Sequence, residues 1–335
     1  MVTAPKAREI ARDASWLVQA LDANSAVVRL VRMDRDAYRA ASFLDDRIFA
    51  QPRETAAAPW PGVAGAAPAG ARKDARWIFH IGHVGSTLVS RLLGELPGVL
   101  SIREPRILRD VSAIAPEQRQ QFTTPLQSLL SRTFSPEESA LVKATSFVSE
   151  IAPDLVAPRQ RALFMYANPR NYIASILAGE NSVKELTILA PWRAQRIAGR
   201  TSLDQPNTAA ELAGAAWACE MTTLEAAADA MADRKIIWAN FDAMLADMSA
   251  ELGRVAAFFD FAASDWQLHA IVESRLMQRY SKALEYDYSP SLRRDLIAET
   301  AAANRSDIDR AIAMLHSAAE ASPLLARALD RAKDD

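Results

Sequence analysis

A chain of 335 residues is long enough for one large α/β domain or two small ones, and half of its residues are apolar, so it can bury a sizeable core. Its 39 basic and 41 acidic residues leave a net charge of −2, which gives no support for bulk nucleic-acid binding, although a local basic pocket stays open. A single cysteine, Cys219, excludes an intrachain disulfide and a cysteine-based zinc cluster, and His80, His83, His269 and His316 lack metalloprotease spacing.

The opening segment MVTAPKAREIARDASWL has no continuous apolar stretch and does not read as a signal peptide. No segment approaches the roughly 20 apolar residues needed to span a bilayer. The expectation is a soluble cytoplasmic protein with no membrane or nucleic-acid partner. Residues 6–21 predict an amphipathic helix with Ile10, Trp16, Leu17 and Leu21 on its apolar side. Ala26–Met33 reads as a strand, and Asp34 as the N-cap of a helix through Ala50. Residues 51–75, rich in Ala, Pro and Gly, read as a linker or long loop. It would separate an appendage, residues 1–50, from the main domain, residues 76–335.

The most informative stretch follows. Trp77–Ile81 is an apolar run that predicts a buried strand, and Leu88, Val89, Leu92, Leu93 and Leu96 then recur at helical spacing. Between them lies Gly82-His83-Val84-Gly85-Ser86-Thr87. A strand, a glycine turn and a helix make a phosphate-binding arrangement, because the first N–H groups of the helix and its dipole face an anion. Gly85 permits close approach or a positive φ, and Ser86 and Thr87 add hydroxyl donors. The GxxxxGK[ST] pattern of nucleotide triphosphatases is absent, which disfavours a Mg-ATP site.

Further strands are expected at Val99–Ile102, Leu141–Ala144, Arg161–Ala167 and Lys235–Ala239. Helices are expected at Glu117–Phe134, from Pro169 to Ala178, at 183–198 and 209–231, around Met244 and Val255, and around Ile312. Short apolar strands alternating with helices imply an α/β fold with a parallel sheet covered on both faces, and the C-terminal part is rich in helix.

Taken in order, these motifs resemble the sulfotransferases that use 3′-phosphoadenylyl sulfate (PAPS). The motif order is nearest to the tyrosylprotein type. His83-Val84-Gly85-Ser86-Thr87 fits the family's 5′-phosphosulfate loop, with His83 where Lys or Arg is usual. The resemblance covers roughly residues 77–290 and implies a P-loop-type three-layer α/β/α fold, PAPS as co-substrate and no metal. It places Glu104, in Arg103-Glu104-Pro105-Arg106, as the general base. Arg103, Arg106 and Arg109 stand beside it in sequence and are expected to keep it ionised. It makes Lys143 the residue facing the leaving phosphate or the sulfonate, and His83 an accessory cation or donor. Asn168, Pro169, Arg170, Asn171 and Ser175 match the family's 3′-phosphate segment, in which Asn168, Arg170 and Ser175 are the candidate contacts; the family's first arginine falls on Ala167. Phe241-Asp242-Ala243-Met244 matches a scaffold turn, and Ser281 and Lys282 fall where the family closes a loop over the donor. His80 and Trp217 read as structural.

The implied activity is sulfuryl transfer to a hydroxyl or amine acceptor. Two other readings stand beside it: a non-catalytic nucleotide-binding or interaction protein that keeps the fold, and a P-loop kinase. Acceptor identity and oligomeric state are not legible, because acceptor pockets are built from variable loops.

Overall fold

A computed structural model describes residues 5–66, 71–279 and 289–333. Two sheets organise them. The first is antiparallel, β1 (Trp16–Asp22), β2 (Val27–Arg32) and β3 (Thr55–Pro59), in that order. The second has five strands: β4 (Arg76–His80), β5 (Val99–Arg103), β6 (Ser139–Lys143), β7 (Arg161–Tyr166) and β8 (Lys235–Asn240). They lie in the order β5-β6-β4-β7-β8, and every neighbouring pair is parallel. Successive side chains of β4, β5, β6 and β7 point to opposite faces, yet all but the first residue of each strand are buried. Both faces are therefore covered by helices, which makes three layers.

Chain order and spatial order diverge at β4. The chain leaves it for β5 and β6 on one side, then crosses to β7 and β8 on the other. Ligands of open parallel sheets bind beyond the carboxyl ends of the strands at such a reversal point. The loop after β4, the residue after β5 and the last residue of β6 all lie there.

The N-terminal region departs from the sequence expectation. Helix is confined to Ala7–Arg12, and Trp16–Asp22 is a strand instead of the second half of a helix. The Asp13 side chain accepts from Ser15 N–H at 2.8 Å, a local turn that competes with continued helix. Pairing with β2 then decides the conformation, since Leu17 and Leu21 sit at a spacing compatible with either state. The helix capped by Asp34 covers only Arg35–Ala40, and Asp46–Ala50 is a separate 3₁₀ turn. Segment 51–75, expected as linker or loop, contributes β3 and the short helix Trp60–Ala64. In β3 only Ala56 and Ala58 face inward; alanine is a weak hydrophobic marker, so the alternation is not visible in composition. Trp60 and Val63 close the corner, and the N-terminal sheet shares one apolar core with the parallel sheet.

The other expected strands and helices lie within a few residues of where the sequence places them, and the helices Ile107–Ser112, Asp265–Val272, Pro290–Ala303 and Pro323–Arg331 are additional. The helices Ala209–Ala230, Arg305–Ala319 and Pro323–Arg331 form the helix-rich C-terminal part. Trp217 is fully buried and donates to the Ala167 carbonyl at 2.9 Å, so it is structural as expected.

Candidate active site

Local chemistry shapes the loop after β4. Gly82, His83 and Gly85 have φ of 84°, 54° and 59°, and the helix Ser86–Leu93 begins immediately afterwards. Gly85 occupies the N-cap position, so no side chain caps the first turn and its N–H groups remain available to an anion. Gly85 takes the positive φ expected of it, and packing adds a second reason for glycine there. A Cβ there would lie 1.9 Å from Cζ of Phe241, whose ring packs directly on the loop. Thr87 is buried, and its Oγ1 has no hydrogen-bond partner among the described residues.

His80 braces this turn. Gly82 N–H donates to its Nδ1 at 2.9 Å, so the network assigns the proton to Nε2, which lies 3.0 Å from the Ala144 carbonyl. Both ring nitrogens are thereby engaged, and His80 is structural, as the sequence reading held. His83 is half-buried, with its ring edge-on to Tyr172.

Glu104 follows β5 and Lys143 ends β6. The parallel register pairs Arg103 with Lys143, and Glu104 N–H donates to the Lys143 carbonyl at 2.8 Å. This backbone bond brings the two side chains together: Lys143 Nζ is ion-paired with Glu104 Oε1, and both residues are buried. Glu104 holds φ of 52°. Left-handed backbone at a non-glycine residue costs on the order of 1–3 kcal/mol and persists only where the surroundings enforce it. Both His83 and Glu104 carry it, and both wall the site.

The charges expected around Glu104 are rearranged. Arg103 points away, its guanidinium donating to the carbonyls of Tyr38, Arg39 and Ala41. Arg106 pairs with Asp46 and Asp110. Only Arg109 stays close, with Nη2 at 3.8 Å from Glu104 Oε2. Its companion comes from the N-terminal segment: Arg47 Nη2 lies 3.6 Å from the same oxygen. Asp45 orients both, meeting Arg47 at 2.7 Å and Arg109 at 2.5 Å. Burial pushes the Asp45 carboxyl up, but the hydrogen bonds and charge of Arg47, with Arg109, outweigh it and hold the group below its ordinary value. Arg47 also lies over the Phe43 ring at 3.4 Å. Phe43, Asp45 and Arg47 fall within what the sequence presented as one continuous helix, so nothing marked them as site residues.

A cavity of about 300 Å³ joins these parts. Its wall includes Gly85–Thr87, His83, Glu104, Lys143, Phe241 and Arg293. Val84 and Ser175 also line it, and Ser175 donates its hydroxyl to the Tyr172 carbonyl at 2.8 Å. Gly82 instead lines a second cavity of about 150 Å³, which shares His80, His83 and Glu104 with the first. Asn168 and Arg170 line neither cavity. Asn168 caps the helix Pro169–Leu177, and Arg170 is ion-paired with Asp309 at 2.6 Å. Ser281 and Lys282 lie outside the described residues.

Arg279 and Arg293, which the sequence did not single out, add two further cations to the wall of the first cavity. Arg293 comes from the helix Pro290–Ala303, lies over the Phe241 ring at 4.9 Å and pairs with Asp242. Its Nη2 is buried without a partner among the described residues. The only signal available in sequence was a helix start at Ser289-Pro290, which says nothing of function.

No family model matches the chain, and no curated protein matches it. Among solved structures, the sulfotransferase domain from the curacin biosynthetic pathway is similar with a TM-score of 0.40 and 12% identity, over 73% of this chain and 98% of that one. The sulfotransferase domain of the Synechococcus PCC 7002 olefin synthase gives 0.39 and 13%, over 67% and 86%. Mouse sulfotransferase SULT7A1, solved with PAP, gives 0.39 and 12%, over 78% and 90%. These three structural neighbours are all sulfotransferases.

Proposed function

We propose that this chain transfers a sulfuryl group from PAPS to a hydroxyl, or less favourably an amine, acceptor. The observation that carries the reading is one cavity wall that unites an uncapped helix start, the buried Glu104–Lys143 pair and Arg293. The wall also fits the donor's charge: Thr87 Oγ1 and Arg293 Nη2 are buried donors without partners among the described residues, as an oxyanion site needs.

In this reading the loop amides, Ser86 and Thr87 hold the phosphosulfate, and Arg293 with Arg279 faces the 3′-phosphate in place of the arginine replaced by Ala167. Arg170 is engaged elsewhere and takes no part. The acceptor enters by the second cavity, since His83 and Glu104 wall both. Glu104 takes the acceptor's proton as the acceptor oxygen bonds to sulfur. The bond from sulfur to the bridging phosphate oxygen breaks, and Lys143 neutralises that oxygen as PAP departs. Lys143 must release Glu104 Oε1 to do so, so the base is freed by the charge of the bound donor. Arg47 and Arg109 hold the other carboxylate oxygen in place.

The test is binding of PAP in the absence of metal. A ligand at 100 times its dissociation constant adds about 2.7 kcal/mol, a clear rise in melting temperature. A shift with PAP followed by sulfuryl transfer to an acceptor panel supports the reading. No shift at millimolar PAP alongside a clear shift with Mg-ATP would overturn it in favour of a kinase. PAP binding without transfer to any acceptor would favour a non-catalytic nucleotide-binding protein.

A further inference from the structure

The helix that starts at the phosphate loop ends beside a second concentration of charge. A cavity of about 100 Å³ beneath its last turn is lined by Arg35, Arg39, Arg91 and Arg103 together with Glu95 and Glu138. Arg91 belongs to that helix and is only 7% exposed. Its Nη1 donates to Ser42 Oγ at 2.9 Å, while its Nε is buried with no partner among the described residues. Arg103, 2% exposed, uses Nε and Nη2 on backbone carbonyls, and among the described residues its Nη1 makes no bond. Neither arginine forms an ion pair with a carboxylate among the described residues.

The two acids on the cavity wall are paired with its other two arginines, Arg35 and Arg39. Glu138 pairs with Arg35 through one oxygen, and the other accepts from Phe134 and Ser135 N–H at 2.9 and 3.1 Å. Glu95 meets Arg39 at 3.9 Å. Burial pushes Arg103 down to about 9, and the charge of Arg91 pushes in the same direction, against the pull of Glu95; burial also lowers Arg91, again against Glu95. Two buried guanidiniums that repel each other across a small polar cavity are a costly arrangement unless an anion completes it.

We propose that this cavity binds a small tetrahedral oxyanion, phosphate or sulfate, either free or as the end group of a small metabolite, with Arg91 Nε and Arg103 Nη1 as donors. Such an anion ties the helix Ser86–Leu93 to the helix Arg35–Ala40 through Arg103. That second helix leads directly into Phe43–Arg47. The anion therefore braces both the phosphate loop and the Asp45–Arg47 side of the active site without touching either.

The experiment titrates phosphate and sulfate separately into the full chain at constant ionic strength, read by calorimetry and melting temperature. It is repeated with saturating PAP and with Thr87→Val, which disables the loop, so the outcome does not depend on whether the loop uses PAPS. Saturable binding should survive both conditions, should weaken at least tenfold in Arg91→Met with cooperative unfolding retained, and should be partly restored in Arg91→Lys. Ribose 5-phosphate distinguishes the source: tighter binding than inorganic phosphate assigns the site to a metabolite end group, and equal or weaker binding to the free anion. Binding that disappears with PAP but persists in Arg91→Met would place the anion in the phosphate loop and overturn the proposal. Absence of saturable binding throughout would also overturn it, with Glu95 then serving as the counter-charge of Arg91.

Discussion

Glu104 and Lys143 close a buried ion pair at the carboxyl ends of two neighbouring parallel strands, and the Glu104 N–H to Lys143 carbonyl bond fixes the register that makes them meet. Breaking one side of a buried pair leaves an uncompensated charge and costs about 3–5 kcal/mol. Lys143→Met should therefore destabilise the chain by roughly that amount. Glu104→Gln/Lys143→Met should recover part of the loss, a coupling readable in a double-mutant cycle by urea unfolding. Strict additivity of the two single losses would show that the pair does not form in solution.

Glu104→Gln also tests the chemistry. Gln accepts hydrogen bonds but takes no proton, so PAP affinity should change little while transfer falls roughly 10²–10⁴-fold, the usual worth of a positioned base. Raising the pH should not restore it. The measurement is single-turnover transfer at saturating PAPS; equal rates in wild type and variant would make His83 the next base to test, since it lines both cavities and, unlike His80, does not have both ring nitrogens engaged in bracing the turn.

Arg293 and Arg170 make opposite predictions. Hydrogen bonds to charged groups contribute about 1.5–3 kcal/mol, so Arg293→Met should weaken PAP binding by roughly ten- to a hundredfold. Arg170→Met removes an exposed pair with Asp309 and should leave affinity unchanged. Calorimetry with PAP on the two variants decides it, and a larger loss at Arg170 would reverse the assignment of the 3′-phosphate side.

Gly85→Ala should do more than block a ligand. Its Cβ would collide with Phe241, and the left-handed φ adds about 1–3 kcal/mol of strain. We expect a lower melting temperature and loss of PAP binding. Shrinking the ring with Phe241→Ala in the same chain should not recover stability fully, because that substitution opens a cavity in the core. It should nevertheless narrow the difference between Gly and Ala at position 85. An unchanged difference would locate the need for glycine in φ alone.

Asp45 predicts an acid-side effect. Its folded carboxyl binds protons less readily than the unfolded one, whose ordinary value is 3.8. The stability it contributes is present above that value and disappears as the pH falls through the lower folded value. Asp45→Asn should thus lower the melting temperature at pH 6, and the gap from wild type should shrink as the pH falls below 3.8 and through the lower folded value. A gap independent of pH would mean that the Asp45 contacts are not ionic.

Much of the candidate site was legible in the chain because it is local. A strand, a glycine turn and a helix are encoded by neighbours, and so the loop after β4 and the elements flanking it could be read from Trp77 to Leu96. The strand ends that carry Glu104 and Lys143 could be read in the same way. The parallel sheet followed from apolar runs alternating with helical periodicity, whose signal is strong over short windows. What the sequence could not supply is pairing across distance. Whether Trp16–Asp22 is helix or strand depends on β2 lying beside it, and the alanines of β3 gain a face only by that pairing. Arg103, Arg106 and Arg109 are equivalent neighbours of Glu104 in the chain, yet tertiary packing sends them to three different partners. The same packing brings Asp45 and Arg47 from 57 or more residues upstream to orient the carboxylate, and Arg293 from the far end of the chain to the cavity. Local periodicity determines elements and places motifs at their ends; which charge meets which is a property of the fold, because electrostatic partners are chosen by distance in space and by burial.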